Sequence, residues 1–187
     1  VAPSANRSGY PSPTTAQHVM SDLEGRIAAV IDGGACAVGI ESTVVNILAP
    51  ELTILRPGSI TKEQLDTVAV EQGFAAFVYA NENANGDAAP LSPGMKYRHY
   101  APNADVLLAS SLEEAQYLAL VHAPAQILAP DKYVNGASIV ALSEQSLYAA
   151  LRNADTAGWR TVIILCDEEV QKNVALMNRI TKAASKR

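Results

Sequence analysis

Apolar residues at Ala16, Val19, Met20 and Leu23 recur at the spacing of one helical face and predict an amphipathic helix over residues 14–23. Ser12 and Pro13 before it supply a cap and a pre-set φ for the first turn, and Gly25 falls just past the end. Three runs rich in Val, Ile and Thr follow, Ile27 to Ile31, Gly39 to Leu48 and Leu52 to Leu55, and read as strands. Thr61-Lys62-Glu63-Gln64 fits a capping box, from which a stripe through Leu65, Val68 and Ala69 runs to Gly73. Between residues 81 and 102 the periodicity is lost: Asn, Gly, Ala and Pro predominate, Pro90, Pro93 and Pro102 punctuate the stretch, and it reads as a long linker. Beyond Pro102, apolar runs at Val106 to Ala109, Ile127 to Ala129, Ile139 to Leu142 and Thr161 to Leu165 alternate with helical stretches near 112–122 and 144–154. A last helical stretch runs through Leu176, Ile180 and Ala184. Short buried strands alternating with helices predict a parallel α/β sheet covered on both faces.

Composition narrows the class. With 187 residues, 49% hydrophobic and 18% charged, the chain is that of a globular protein and not a disordered one. No apolar run approaches the ~20 residues that span a bilayer and no signal-peptide layout opens the sequence, so a cytoplasmic protein with no membrane partner is expected. The net charge of −5 supplies no basic field for tight nucleic-acid binding. Cys36 and Cys166 stand 130 positions apart with no C-x-x-C, and read as two small buried apolar residues. The chain opens at Val1 directly into Ala2-Pro3-Ser4-Ala5-Asn6, as a sequence that begins inside a domain.

Candidate chemistry is sparse and local. The Ser/Asn/Gly-rich loop from Ser4 to Ser12 leads hydroxyls and backbone N–H groups to a helix N-terminus, which suits either an anion or an ordinary N-cap. Strand alternation puts Glu41 and Thr43 on one face and Ser42 on the other. Arg56 follows a strand and precedes Pro57-Gly58, placing a guanidinium at a sheet end, as a phosphate or carboxylate fork or as a surface turn residue. The linker carries Tyr97 and Tyr100 beside Lys96, Arg98 and His99, a concentration that suits docking on a partner surface. No Walker A loop, G-x-S-x-G elbow or metal-ligand spacing of His18, His99 and His122 is present, which removes the hydrolase and metalloenzyme readings.

Five strings in order, SANRSGYPSPTTA (Ser4 to Ala16), DGG (Asp32 to Gly34), GIESTVV (Gly39 to Val45), ILRPGSIT (Ile54 to Thr61) and SPGMKYRHYAP (Ser92 to Pro102), resemble the two-domain threonylcarbamoyl-AMP synthases. MNRITKAA (Met177 to Ala184) is similar to the closing helix of that family. The resemblance implies an α/β fold in three parts: the tail of a YrdC-like catalytic domain at 1–80, a tyrosine-bearing linker at 81–102 and a small Rossmann-like parallel α/β domain at 103–187. It also implies the reaction, in which L-threonine, bicarbonate and Mg2+-bound ATP give threonylcarbamoyl-AMP and pyrophosphate for tRNA modification.

By the same resemblance, Ser4, Asn6, Ser12 and Arg56 would bind ATP, and Ala2 and Ser42 would contact threonine. Tyr97, His99 and Tyr100 would belong to a lid over the reactive intermediate. A downstream tRNA-modifying transferase complex would receive the product, with tRNA contact weak or indirect. Because more than half of the catalytic domain would precede Val1, residues 1–187 alone are expected to make little or no product and to self-associate through uncovered sheet edges. Two other classes remain open on the residues alone, a non-catalytic partner-binding module and a regulatory nucleotide-binding domain.

Overall fold

Local chemistry decides where the helices begin. The computed structural model describes residues 5–48, 50–80, 100–136 and 138–185. The first helix, α1 (Ala16–Leu23), is capped by Thr15, whose hydroxyl accepts the His18 amide at 3.3 Å. Ser12 and Pro13 therefore lie outside the helix they were expected to open. The reason is at Thr14: its N–H donates to Nδ1 of His18 at 3.2 Å and its carbonyl accepts from Cys36 N at 2.9 Å, so its backbone is held out of the helical turn. Gly25, at φ +72°, takes the left-handed turn after the helix.

The described residues divide into two compact groups, 5–39 with 100–185, and 40–80. This grouping cuts the chain differently from the expected division at 80 and 102. In the 40–80 group, β1 (Val44–Asn46) pairs antiparallel with β2 (Thr53–Arg56), with a register shift at Val44/Val45. A two-residue β3 (Val78–Tyr79), which the sequence pattern did not announce, pairs parallel with β2. Between β2 and β3 runs α2 (Lys62–Glu71), whose capping box is complete: Gln64 N donates to Thr61 Oγ1 and Thr61 N donates to Gln64 Oε1. Ile54, Ala69 and Phe77 form the small core of this group. The expected strand over Ile27 to Ile31 does not form, since no described strand pairs with it and Ile31 is 96% exposed.

The larger group carries a four-stranded, wholly parallel sheet. Its strands are β4 (Asp105–Ala109), β5 (Ala125–Ala129), β6 (Ile139–Ala141) and β7 (Thr161–Leu165), in spatial order β4-β7-β5-β6. The connection from β4 to β5, through α3 (Leu112–Val121), crosses the sheet in one direction. That from β6 to β7, through α4 (Leu147–Ala157), crosses in the other. Right-handed crossovers then place α3 and α4 on opposite faces. α3 packs on Ala109, Ile127, Ile163 and Leu165, while the alternating residues Val106, Leu128, Val162 and Ile164 are buried too. All five residues of β7 are buried, as a central strand covered on both faces requires.

Two further helices, α5 (Glu168–Lys172) and α6 (Val174–Ala184), close the chain, the first of them unannounced by the sequence pattern. α4 begins at Leu147, three residues later than expected. Ser146 Oγ accepts from Ser143 N at 2.8 Å and donates to the Ala141 carbonyl at 2.8 Å, so the serines hold a turn in place of a helical one. Among the described residues no helix is long and apolar enough to cross a membrane.

Candidate active-site segments

Arg56, at the end of β2, turns its guanidinium back onto the loop that precedes β1. Nε and Nη2 both donate to the Ser42 carbonyl, at 3.2 and 3.1 Å. Residues 41–43 do not continue β1 as the alternation pattern expected; they form an extended loop tied down from three sides. Thr43 Oγ1 donates to Ile60 O at 2.7 Å, Arg56 holds Ser42, and Gly58 lies flat against the loop. A Cβ at Gly58 would run into Thr43 N and come within 2.6 Å of Glu41 O and Ser42 C. The GIESTVV and ILRPGSIT strings thus form one structural unit, in which the candidate phosphate ligand supports the candidate threonine contact. Ser42 itself is exposed.

Asn6 and Ser12 belong to the other group, on the loop that leads into α1. Asn6 is half-buried, and Arg7 lies 4.2 Å above the Tyr10 ring while its Nη2 donates to the tyrosine oxygen at 3.3 Å. This loop borders a cavity of about 440 Å³, walled by Arg7, Tyr10, His18, Asp22 and Arg152. His18 is held below its ordinary pKa, first by burial and then by the nearby Arg152 charge, against a smaller opposing pull from Asp22. Its Nδ1 accepts from Thr14 N, which places a neutral ring's proton on Nε2.

Tyr100 is buried, at φ +65°, a left-handed conformation that costs a non-glycine residue energy and needs surrounding contacts to hold it. Those contacts are the Tyr148 ring, 5.3 Å away between centroids, and the buried Arg179, whose guanidinium carbon lies 5.5 Å from the Tyr100 ring. Next to it, Ala101 N donates to Gly9 O at 3.2 Å, joining the end of the linker to the Asn6–Ser12 loop. Ala2, Ser4, Tyr97 and His99 lie outside the described residues, as does the linker up to residue 99.

Cys166 is buried as expected, and burial with the Asp167 charge beside it pushes its thiol up to about 11, so it is a neutral packing group at physiological pH. Cys36 is exposed, contrary to its reading as a core residue; it lies on an exposed loop held to Thr14 O through its own backbone N–H. The groups that sequence reasoning missed are Gly58, Asp22, Tyr148, Arg152 and Arg179. Their partners are supplied by the tertiary fold, 130 residues away for Asp22 and Arg152, so no local spacing marks them.

An α/β protein with a parallel sheet and these motif-bearing loops defines the class. Residues 60–185 match the family described as "Threonylcarbamoyl-AMP synthase, C-terminal domain", and residues 1–58 match the family described as "Telomere recombination". The chain is 37% identical to the threonylcarbamoyl-AMP synthase of Schizosaccharomyces pombe over 98% of its own length and 52% of that protein. It is 38% identical to that of Bacillus subtilis over 100% of its own length and 57% of the relative. A crystal structure of Pyrococcus abyssi Sua5 complexed with L-threonine superposes with a TM-score of 0.78 at 32% identity, over 98% of this chain and 57% of that one. The chain belongs to the threonylcarbamoyl-AMP synthase family, and it spans about half the length of the curated relatives it matches.

Proposed function

We propose that this chain is part of an L-threonylcarbamoyladenylate synthase, a nucleotidyltransferase that condenses L-threonine, bicarbonate and ATP into threonylcarbamoyl-AMP and pyrophosphate. The observation that carries the reading is the match to named synthases along essentially the whole chain. In this chemistry the threonine amine captures carbon dioxide as a carbamate, a carbamate oxygen attacks the α-phosphate of ATP, and pyrophosphate leaves. ATP enters with Mg2+ as substrate. No protein nucleophile is required; the work is positioning and charge neutralisation.

Ser4, Asn6, Ser12 and Arg56 take ATP in this reading, and the Ala2 backbone and Ser42 take threonine. One guanidinium carries five donors, so Arg56 can hold the Ser42 carbonyl and a phosphate oxygen together. Tyr97, His99 and Tyr100 form the lid segment, residues 81–102 the linker and 103–187 a small Rossmann-like domain. The product passes to a tRNA-modifying transferase complex in the cytoplasm, with tRNA itself bound weakly or indirectly. Residues 1–187 alone make little product and self-associate through apolar side chains as exposed as Ile31 and Leu48.

The test is pyrophosphate release by the full-length protein, dependent on all three substrates. Arg56→Ala should lower kcat/KM for ATP by about a hundredfold or more, the loss typical of one preorganised charge-stabilising donor. An Arg56→Ala protein with undiminished turnover would remove Arg56 from the ATP site, and a full-length protein with no substrate-dependent release would leave a partner-binding module instead. Substantial turnover by residues 1–187 alone would overturn their assignment as an incomplete enzyme.

A further inference from the structure

We propose that Arg152, on α4, is a positioning residue for the loop ending at Ser12, so that the C-terminal part of the chain sets the geometry of the segment assigned above to ATP; the inference rests on that assignment. Arg152 makes a bidentate pair with Asp22 on α1, Nη1 to Oδ1 at 2.9 Å and Nη2 to Oδ2 at 2.5 Å. The pair is nearly buried, with side chains 12% and 9% exposed. An ion pair joining two helices needs no more than this. The same guanidinium also donates to two backbone carbonyls of the loop, Nη2 to Pro11 O at 2.6 Å and Nε to Ser12 O at a longer 3.4 Å.

Those two carbonyls are the natural handles of the segment. Proline at 11 and 13 removes the backbone donors there and fixes φ at both positions, so the carbonyls between them are what a neighbouring element can grip. Fixing them sets the peptide planes on either side of Ser12, and hence the direction of its hydroxyl and of the chain leading back to Asn6. A lysine offers a point charge and lacks the planar fork that meets a carboxylate and two carbonyls at once.

α4 does a second job with the same face. Tyr148, four residues before Arg152, lies against Tyr100, and Asp155, three residues after it, accepts from Asn103 N at 2.8 Å and Ala104 N at 3.1 Å. One rigid helix therefore grips both the Ser12 loop and the end of the linker, and Ala101 N to Gly9 O closes the bridge between them.

The experiment uses the full-length protein with Arg152→Lys, Asp22→Asn and the double variant Asp22→Asn/Arg152→Gln, which removes both charges and leaves neither buried alone. For each, kcat and KM are measured for ATP and for threonine, with thermal midpoint and hydrogen exchange of the amides of residues 5–10. Asp22→Asn leaves Arg152 on its carbonyls and should lower the midpoint while keeping kcat/KM for ATP near wild type. Arg152→Lys and the double variant should lose about ten- to a hundredfold in kcat/KM for ATP, the scale of a misplaced binding group, with threonine KM little changed and faster exchange at 5–10. Should Arg152→Lys fail to fold, the double variant supplies the same readings. Unchanged kcat/KM for ATP in a folded Arg152 variant, or losses that follow the midpoint equally in all three proteins, would overturn the proposal. A wild-type protein that makes no threonylcarbamoyl-AMP would instead overturn the functional reading, and the exchange of residues 5–10 would still decide whether Arg152 orders the loop.

Discussion

His18 shows how one side chain reports on its surroundings. Its ring accepts the Thr14 amide, sits half-buried on α1, and shares a cavity wall with Arg152 and Asp22. Burial and the cation both disfavour a charged ring, so the folded-state pKa lies below the ordinary 6.5. In that case the unfolded chain takes up the proton more readily than the folded one. The stability from a neutral His18 is fully present above its unfolded pKa and is lost as pH falls from there through the lower folded value. Denaturation midpoints measured between about pH 7 and pH 5 should therefore fall with pH, and His18→Asn should flatten that part of the curve. A slope that is the same in both proteins would assign the effect to other groups. The neighbouring Arg152 has no comparable mark in the sequence, because the groups its guanidinium grips, on Pro11, Ser12 and Asp22, lie 130 or more positions away.

At the scale of elements, the cap of α2 was legible in the sequence and that of α1 was not. Thr61 to Gln64 reads as a capping box from spacing alone, and both reciprocal bonds form. Thr61→Ala should cost about 1 kcal/mol, seen as weaker protection of the α2 amides in hydrogen exchange, while Thr61→Ser should keep most of it. The four strands of the parallel sheet were legible for a different reason. Each is a short apolar run between helical stretches, and β7, from Thr161 to Leu165, keeps its expected limits because a central strand is apolar on both faces. Where the reading slipped, a side-chain bond or a missing partner decided the outcome. The His18 and Cys36 contacts to Thr14 delay α1, Ser143 and Ser146 delay α4, and Ile27 to Ile31 has strand-like residues without a strand to pair with. The two-residue β3 is too short to show a period, and its place beside β2 follows from the fold. Of the candidate site, Arg56 and Ser42 were each legible as residues, but the bond between them was not, since nothing in a sequence says that a carbonyl 14 positions away will face the guanidinium.

For the whole chain, the two groups differ in how much apolar surface each one buries. In the parallel sheet, Leu128, Val162, Ile163, Ile164 and Leu165 are fully enclosed, with Leu147, Leu151 and Ile180 completing the packing. Each such side chain contributes roughly 1.5–3 kcal/mol relative to exposure. The 40–80 group encloses only Ile54, Ala69 and Phe77 in its core cluster, and leaves Ile47, Leu48, Val68, Val70 and Phe74 exposed. Its strands are two to four residues long, so few ladder bonds tie them together. Local opening should therefore be graded, with the smaller group opening well below the free energy that opens the parallel sheet. Hydrogen exchange on residues 1–187 should find the amides of Val162 to Leu165 slowest, and those of Val45 to Arg56 at least about tenfold faster, a gap of ~1.4 kcal/mol or more. Equal protection in both would mean that they open as a single cooperative unit, and the difference in core size would then have no thermodynamic consequence.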